Sequence, residues 1–180
     1  MGLSVNRPAV LDIPRLQWPR ELILGCVLAL FFVLLRLFRT RSISTAAYFW
    51  ALGQGALGFF FGVAGTMLFF MMIFTDHDYT YWNINILFIN PLLLVALPLG
   101  IRFCRAHSSQ EQDKQEVLIK TLWSGCLGLA LIGILINAFP FFRQQNQVDL
   151  ALILPPLIAL SWLPDLFIYT RREYLWRWFN

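Results

Sequence analysis

The chain has 180 residues, and its composition excludes a soluble globular protein. Hydrophobic residues make up 58% of it, charged residues only 13%, and the mean hydropathy is +0.64, whereas a soluble domain carries roughly 25% charged residues. A chain of this size cannot bury so many apolar side chains in one core, so the excess must face lipid. The net charge of +4 favours anionic lipid headgroups as its counterpart, and no basic stretch is long enough to indicate a nucleic-acid partner.

Five apolar stretches follow one another along the chain. They are Leu22 to Phe38, Ala46 to Phe74, Ile84 to Ile101, Leu118 to Phe142 and Leu150 to Tyr169. Each approaches or exceeds the roughly 20 residues that a membrane helix needs. We therefore predict an all-α integral membrane protein, with a bundle of about five transmembrane helices that forms a single domain over residues 1–180.

Two features qualify individual stretches. The uninterrupted apolar run of the first stretch stops at Leu35, and we expect Arg36 to reach the headgroups. This leaves open whether the segment spans the bilayer or lies in the interface. The third and fifth stretches contain prolines, which free backbone carbonyls, so we expect kinks in both. These prolines are Pro91, Pro98, Pro155, Pro156 and Pro164.

The lysines and arginines predict an orientation. Ten of the fourteen fall on one side: Arg36, Arg39, Arg41, Arg102, Arg105, Lys114, Lys120, Arg171, Arg172 and Arg177. The other four are Arg7, Arg15, Arg20 and Arg143. Because the richer side is cytoplasmic in most membrane proteins, we expect the N-terminus and residues 75–83 outside and the C-terminus in the cytoplasm. The polar stretch from Ala106 to Glu116 is then a cytoplasmic loop, with at most a helical turn capped by Ser108 or Ser109.

The second stretch carries small residues at alternating spacings of four and three, which places them on one helix face. They are Ala51, Gly55, Gly58, Gly62 and Gly65. In lipid, such faces allow close helix packing by van der Waals contact. The sequence leaves open whether the neighbour belongs to this chain or to a partner protein.

A polar cluster follows the second stretch and is the strongest candidate for a functional site. Its members include Thr75, Asp76, His77, Asp78, Asn83, Asn85 and, farther along, Asn90. A histidine between two carboxylates can serve as a general base or proton relay, and the amides can bind a ligand or tether the loop. The alternative is an interfacial turn in which the same residues cap helix ends. We expect no metal and no cofactor here, because adjacent ligands seldom face one ion and His107 lies on the opposite side.

Other polar residues fall within apolar stretches. Asp165 is the one acid expected inside such a stretch, which indicates either a proton-relay role or an ion pair. Its candidate partners are Arg102, Arg105, Arg171 and Arg172. Gln54 and Asn137 are predicted to form interhelical hydrogen bonds. The three cysteines, Cys26, Cys104 and Cys126, indicate no disulfide framework.

The junction between the second and third stretches resembles a known family. The run from Gly58 to His77, the run Tyr81-Trp82-Asn83-Ile84-Asn85 and then Asn90-Pro91-Leu92 are similar to the C-terminal membrane segment of the Lnb-type bacterial lipoprotein N-acyltransferases. There a glycine-rich helix ends in a Thr-x-His turn, followed by Asn-x-Asn and Pro-Leu. The resemblance covers about 45 residues and implies a bacterial inner-membrane protein with residues 76–85 on the periplasmic face.

The same resemblance limits the functional prediction. Family members carry a periplasmic domain, similar to a thiol peptidase, whose Cys and His are implied to transfer the acyl group. The 180 residues contain no corresponding stretch, so we do not expect catalysis by this chain alone. We predict instead a membrane module or subunit whose loop from Thr75 to Asn85 binds a lipid, a lipoprotein or a partner enzyme of the periplasm or membrane. The alternatives are a small lipid-modifying enzyme, an acyltransferase for example, that uses His77 with Asp76 or Asp78, and a small transporter that uses Asp165.

Overall fold

The computed structural model describes residues 17–39, 44–74, 83–139 and 146–165, and all of its regular structure there is helical. The elements are α1 (Gln17–Arg39), α2 (Ser44–Phe74), α3 (Asn85–Phe88), a 3-10 helix (Pro91–Val95), α4 (Ala96–Arg105), α5 (Ser109–Asn137) and α6 (Gln147–Leu160). The prediction of an all-α fold is confirmed.

Four segments are long and apolar enough to cross a membrane: Trp18–Phe38, Thr45–Phe74, Asn85–Arg105 and Ser109–Asn137. These segments confirm the prediction of a helical membrane protein. The fifth predicted stretch differs, because α6 has only 14 residues. At 1.5 Å per residue it is about 21 Å long, which is shorter than the roughly 30 Å hydrocarbon layer of a bilayer.

The fifth stretch is not one continuous helix within the described residues, because α6 ends at Leu160; residues 166–169 lie outside the described residues. Ser161 adopts an extended conformation, and its hydroxyl donates to the carbonyl of Ile158 at 2.8 Å. The same hydroxyl accepts the amide hydrogen of Leu163 at 3.2 Å. The next amide, that of Trp162, donates to the hydroxyl of Ser124 in α5 at 3.1 Å. The end of α6 is thus held by its own serine and by a neighbouring helix.

The third stretch is broken rather than kinked. The short helix α3 ends at Phe88, and Asn90 takes an extended conformation. Pro91 then opens the 3-10 helix at a position where its missing amide hydrogen costs nothing. Pro98 lies in the first turn of α4, which also tolerates proline. The break therefore falls at the asparagine before Pro91 and not at Pro98.

The stretch from Ala106 to Glu116 is not a loop beyond Ser108, because α5 begins at Ser109; the predicted cap at Ser108 is confirmed, but the helix that it starts is much longer than one turn. Ser108 caps the helix by accepting the amide hydrogen of Glu111 at 3.2 Å. The Glu111 carboxylate in turn accepts the amide hydrogen of His107 at 2.9 Å. This reciprocal pair resembles a capping box, and it starts the helix about two turns before the chain becomes apolar.

The helices pack in a closed ring. In order around it, α1 contacts α2, α2 contacts the 3-10 helix and α4, α4 contacts α5, α5 contacts α6, and α6 returns to α1. The centre is filled by large buried side chains, among them Trp50, Phe103, Trp123 and Leu157. Trp50 and Phe103 meet edge to face with their ring centres 6.0 Å apart. Side chains on the outside of α1 and α2 are largely exposed and apolar, as expected for a surface in lipid.

Candidate functional site

The predicted loop between α2 and α3 is described only at its far end. Thr75, Asp76, His77 and Asp78 lie outside the described residues. Asn83 is the first described residue after α2, and its side-chain oxygen accepts the amide hydrogen of Asn85 at 3.1 Å. Asn83 therefore fixes the start of α3.

Asn90 has a similar local role. Its side-chain oxygen accepts the amide hydrogen of Leu92 at 2.9 Å and caps the 3-10 helix. An asparagine is well suited to this position because its side chain mimics the backbone of a turn. Asn83 and Asn90 thus both shape the backbone of the segment that enters the bundle after the loop.

A pair of asparagines joins α5 to α6 at one end of the bundle. The side-chain amide of Asn137 donates to the side-chain oxygen of Asn146 at 3.1 Å, and Asn146 is 2% exposed. The short helix α3 packs against both α5 and α6. Sequence analysis missed Asn146, because it lies between two apolar stretches and its only signal is that asparagine favours the residue before a helix.

Two polar atoms near this end have no hydrogen-bond partner within the described ranges. They are the side-chain oxygen of Asn85 and the side-chain nitrogen of Asn146. Buried polar atoms are usually paired with protein or with ordered water. One buried acceptor and one buried donor at this end of the bundle therefore lack a partner among the described residues.

The small-residue face of α2 lies against the chain from Ile89 to Gly100. A Cβ atom on Gly55 would come within 3.1 Å of the Leu97 backbone, and one on Gly58 within 3.0 Å of the Leu93 carbonyl. Gly62 and Gly65 lie still closer to the backbones of Leu94 and Ile89. Ala51 is fully buried, and its carbonyl faces Gly100. This chain's own segment therefore occupies the face, which leaves no room there for a helix of a partner protein.

Gln54 forms the interhelical hydrogen bonds that were predicted for it. Its side-chain oxygen accepts the indole hydrogen of Trp123 in α5 at 2.7 Å. Its side-chain nitrogen donates to the carbonyl of Ala51 at 2.9 Å and lies 3.5 Å from that of Ala96. Gln54 is completely buried, so the network joins α2, α4 and α5 where water is excluded.

Asp165 lies in a cluster of charges at the opposite end of the bundle. It pairs with Arg36 of α1, and its second oxygen lies 2.9 Å from the ammonium nitrogen of Lys120 in α5. Lys120 also pairs with Glu116, one turn earlier, and lies 4.9 Å from the ring centre of Trp162. Two cations thus balance two carboxylates, and three segments of the chain meet there.

The partners expected for Asp165 were wrong where the structure describes them. Arg102 and Arg105 are exposed at the end of α4, while Arg171 and Arg172 lie outside the described residues. Arg36, expected at the headgroups, is instead 7% exposed and paired. Because Asp165 pairs with two cations and joins three segments of the chain, a structural role is favoured over a proton relay.

No group of three histidine, cysteine or acidic side chains that could hold a metal ion occurs within the described ranges. The three cysteines lie in these ranges and are free, with Cys26 exposed, Cys104 half-buried and Cys126 buried. The described residues offer hydrogen bonding by amides at one end of the bundle, where Asp149 also lies in the first turn of α6, and ion pairing at the other end.

A closed ring of apolar helices with polar clusters at its two ends defines a multi-pass membrane protein. A family model described as the Lnb transmembrane domain matches residues 22–173. The chain belongs to the Lnb transmembrane domain family. The match extends well beyond the junction that carries the resemblance and includes α1 to α6 almost completely. Comparisons with curated proteins and with solved structures gave no match.

Proposed function

We propose that this chain is a membrane module of lipoprotein N-acylation in the bacterial inner membrane. In this role, its outer end, formed by residues 75–85 and the asparagines beside them, binds the lipid-modified end of a lipoprotein. The observation that carries the proposal is the match to the Lnb transmembrane domain over residues 22–173. The fold supports it, because the ring of helices is a scaffold on which such a loop is fixed at both ends.

The chemistry of this end suits such a ligand. A lipid-modified N-terminus presents ester and amide carbonyls and amide hydrogens close to the membrane surface, and these groups pair with uncharged amides. Asn85 and Asn146 supply one acceptor and one donor that are buried and have no partner among the described residues. A hydrogen bond from the ligand to either atom would stabilise the complex more than the same bond in water, because a buried polar group without a partner has a high free energy.

Site-specific photo-crosslinking tests the binding role. A photoreactive benzophenone amino acid replaces Asn83 in the full chain, and the same residue replaces Gln110, exposed in the first turn of α5, as the matched control. Irradiation of intact bacterial cells should link the position-83 variant to peptides that carry a lipid-modified N-terminal cysteine. The control should give no such product. Equal capture at both positions, or capture of unmodified proteins only, would contradict the proposal.

A histidine pair offers a second test, because the chain has two histidines. His77→Ala should lower the fraction of N-acylated lipoproteins, measured by mass spectrometry of their N-terminal peptides, since the proposed loop contains His77. His107→Ala is the control and should leave that fraction unchanged, since His107 precedes α5 at the other end. Membrane abundance of both variants is measured by immunoblot. An unchanged fraction in the His77 variant, or a loss matched by lower abundance, would count against a functional loop.

A further inference from the structure

An apolar groove of about 390 Å³ runs between α1 and α6 and is open along one side. Its walls include Ala29, Leu30 and Val33 from α1 and Leu154, Pro155 and Ile158 from α6. Almost no polar atom lines it. Leu30 and Ile158 are 58% and 41% exposed, so the open side faces the surroundings of the bundle, which for this chain is the bilayer.

The groove arises from how α1 and α6 approach each other. Gly25 lies directly against the carbonyls of Ala151 and Leu152, so the two backbones are in contact at that depth. Ala29 lies one turn after Gly25 on the same face of α1, and Pro155 lies at the corresponding position of α6. Their side chains are too small to fill the space between the two helices. The helices are therefore held together at Gly25 while a gap remains beside Ala29.

The dimensions of the groove decide what can occupy it. From Leu22 to Val33 it follows eleven residues of α1, or about 16 Å, which is close to half of the roughly 30 Å hydrocarbon layer. A helix about 10 Å in diameter does not fit, and the walls offer far less area than the roughly 800 Å² that each partner buries in a stable protein interface. A single hydrocarbon chain from one leaflet has the right length, width and polarity.

We infer that this groove binds one acyl chain of a bilayer phospholipid. The site lies on the membrane-facing side of α1 and α6 and goes beyond the proposed function, since it involves neither the loop nor the asparagines. An acyl chain placed there makes dispersion contacts with both helices and fills the space that Ala29 and Pro155 leave open.

Photolabelling of the full chain in vesicles tests the inference. The vesicles consist of phosphatidylethanolamine and phosphatidylglycerol, with a small fraction of phosphatidylcholine that carries a diazirine on its acyl chain. After irradiation, peptide mass spectrometry should find the label on α1 and α6 at groove positions, and an excess of unlabelled phospholipid should compete it away. Labelling of exposed side chains on α2, such as Phe60 at 70% exposure, should not saturate, because it reports random lipid contact.

Matched substitutions separate the groove from the rest of the lipid-facing surface. Ala29→Phe should fill the groove and abolish the saturable labelling, while Val27→Phe, at an exposed position of α1 that does not line the groove, should leave it unchanged. Ile158→Trp, from the other wall, should reproduce the effect of Ala29→Phe. Size-exclusion chromatography and circular dichroism establish that each variant is folded. Unsaturable labelling of the groove, or saturable labelling that survives in both folded filling variants, would overturn the inference.

Discussion

Gly25 is a position of α1 at which the backbone of α6 comes too close for a larger residue. Pro155 and Pro156 lack amide hydrogens, so the carbonyls four residues earlier, those of Ala151 and Leu152, lose their helical partners. These are the two carbonyls that face Gly25. Backbone C–H groups of a glycine can approach such carbonyls and form weak hydrogen bonds. The double proline of α6 and the glycine of α1 therefore complement each other across the interface.

Gly25→Ala should destabilise the bundle by about 1–3 kcal/mol, the usual cost of overpacking, because the added Cβ would lie 2.6 and 2.7 Å from these two backbone oxygens. Thermal unfolding in mild detergent, followed by circular dichroism, measures the change. Gly128→Ala is the control, since nothing lies within 4 Å of its added Cβ, and it should be neutral or slightly stabilising. A Gly25 variant as stable as the Gly128 variant would contradict the close contact.

The hydrogen bond between Trp123 and Gln54 gives a second residue-scale prediction. Trp123→Phe removes the donor and leaves a fully buried oxygen of Gln54 unpaired, which should cost about 1–3 kcal/mol in addition to the lost ring contacts. Combining it with Gln54→Met removes the acceptor as well. The double variant should therefore lose less stability than the sum of the single variants. Thermal unfolding measures the stability of all variants in this double-mutant cycle. If the stability losses of the two single variants add up to that of the double variant, the hydrogen bond contributes no interaction energy between the two residues.

At the scale of elements, the charge cluster explains how a helix as short as α6 is fixed at its end. The chain turns at Ser161 and brings Asp165 between α1 and α5, where Arg36 and Lys120 neutralise it. Arg36 follows the apolar run of α1 from Leu22 to Leu35 and would be costly to bury alone. The ion pair between Arg36 and Asp165 therefore also fixes α1 against the bundle. This contact favours the interpretation that α1 is a packed membrane helix rather than an isolated helix in the interface.

Asp165→Asn should leave two buried cations with one carboxylate, that of Glu116, and should destabilise the bundle by about 3 kcal/mol. The estimate is the low end of the usual range, because the Asp165 side chain is 32% exposed while those of Arg36 and Lys120 are 9% and 8% exposed. Asp113→Asn, on the exposed first turns of α5, should change stability little. Comparison of unfolding temperatures tests both expectations, and equal temperatures for the two variants would refute the clamping role.

For the whole molecule, the sequence was sufficient to predict the properties that follow from the length and composition of its apolar stretches. The helical class and four of the membrane segments follow from apolar stretches, because a bilayer demands a minimum helix length. The small-residue face of α2 and the interhelical role of Gln54 follow from helical spacing and from the cost of burying an amide. Each of these properties depends on residues that are close together in the sequence, so periodicity and composition are enough to predict it.

Properties that depend on three-dimensional proximity were not predicted. Arg36 and Lys120 meet Asp165 because α1, α5 and the end of α6 are neighbours in the ring, and no spacing in the sequence encodes that neighbourhood. Asn146 has a role only because Asn137 faces it across a helix connection. The cap of α5 at Ser108 was predicted, but the helix through the polar stretch that follows was not, because a polar segment has no hydrophobic periodicity and is indicated only by its capping residues.

The orientation of the ring in the membrane remains a prediction, and it applies to the molecule as a whole. The structure brings Arg36, Lys120 and Asp165 together at one end of the bundle and Asn137 and Asn146 together at the other. Because ten of the fourteen basic residues were assigned to the first of these ends, that end should face the cytoplasm. The second end, with the loop that contains His77, should then face the outside.

Single cysteines introduced into a cysteine-free chain test this orientation. Cys26, Cys104 and Cys126 are free, so replacing them with alanine breaks no disulfide. In intact spheroplasts, a membrane-impermeant maleimide should label a His77→Cys variant, because position 77 is predicted to lie outside. A His107→Cys variant should be labelled only after the membrane is lysed, since the capped start of α5 should face the cytoplasm. The reverse labelling pattern would show that the molecule has the opposite orientation. The proposed loop would then lie on the cytoplasmic side, where it could not meet a periplasmic lipoprotein.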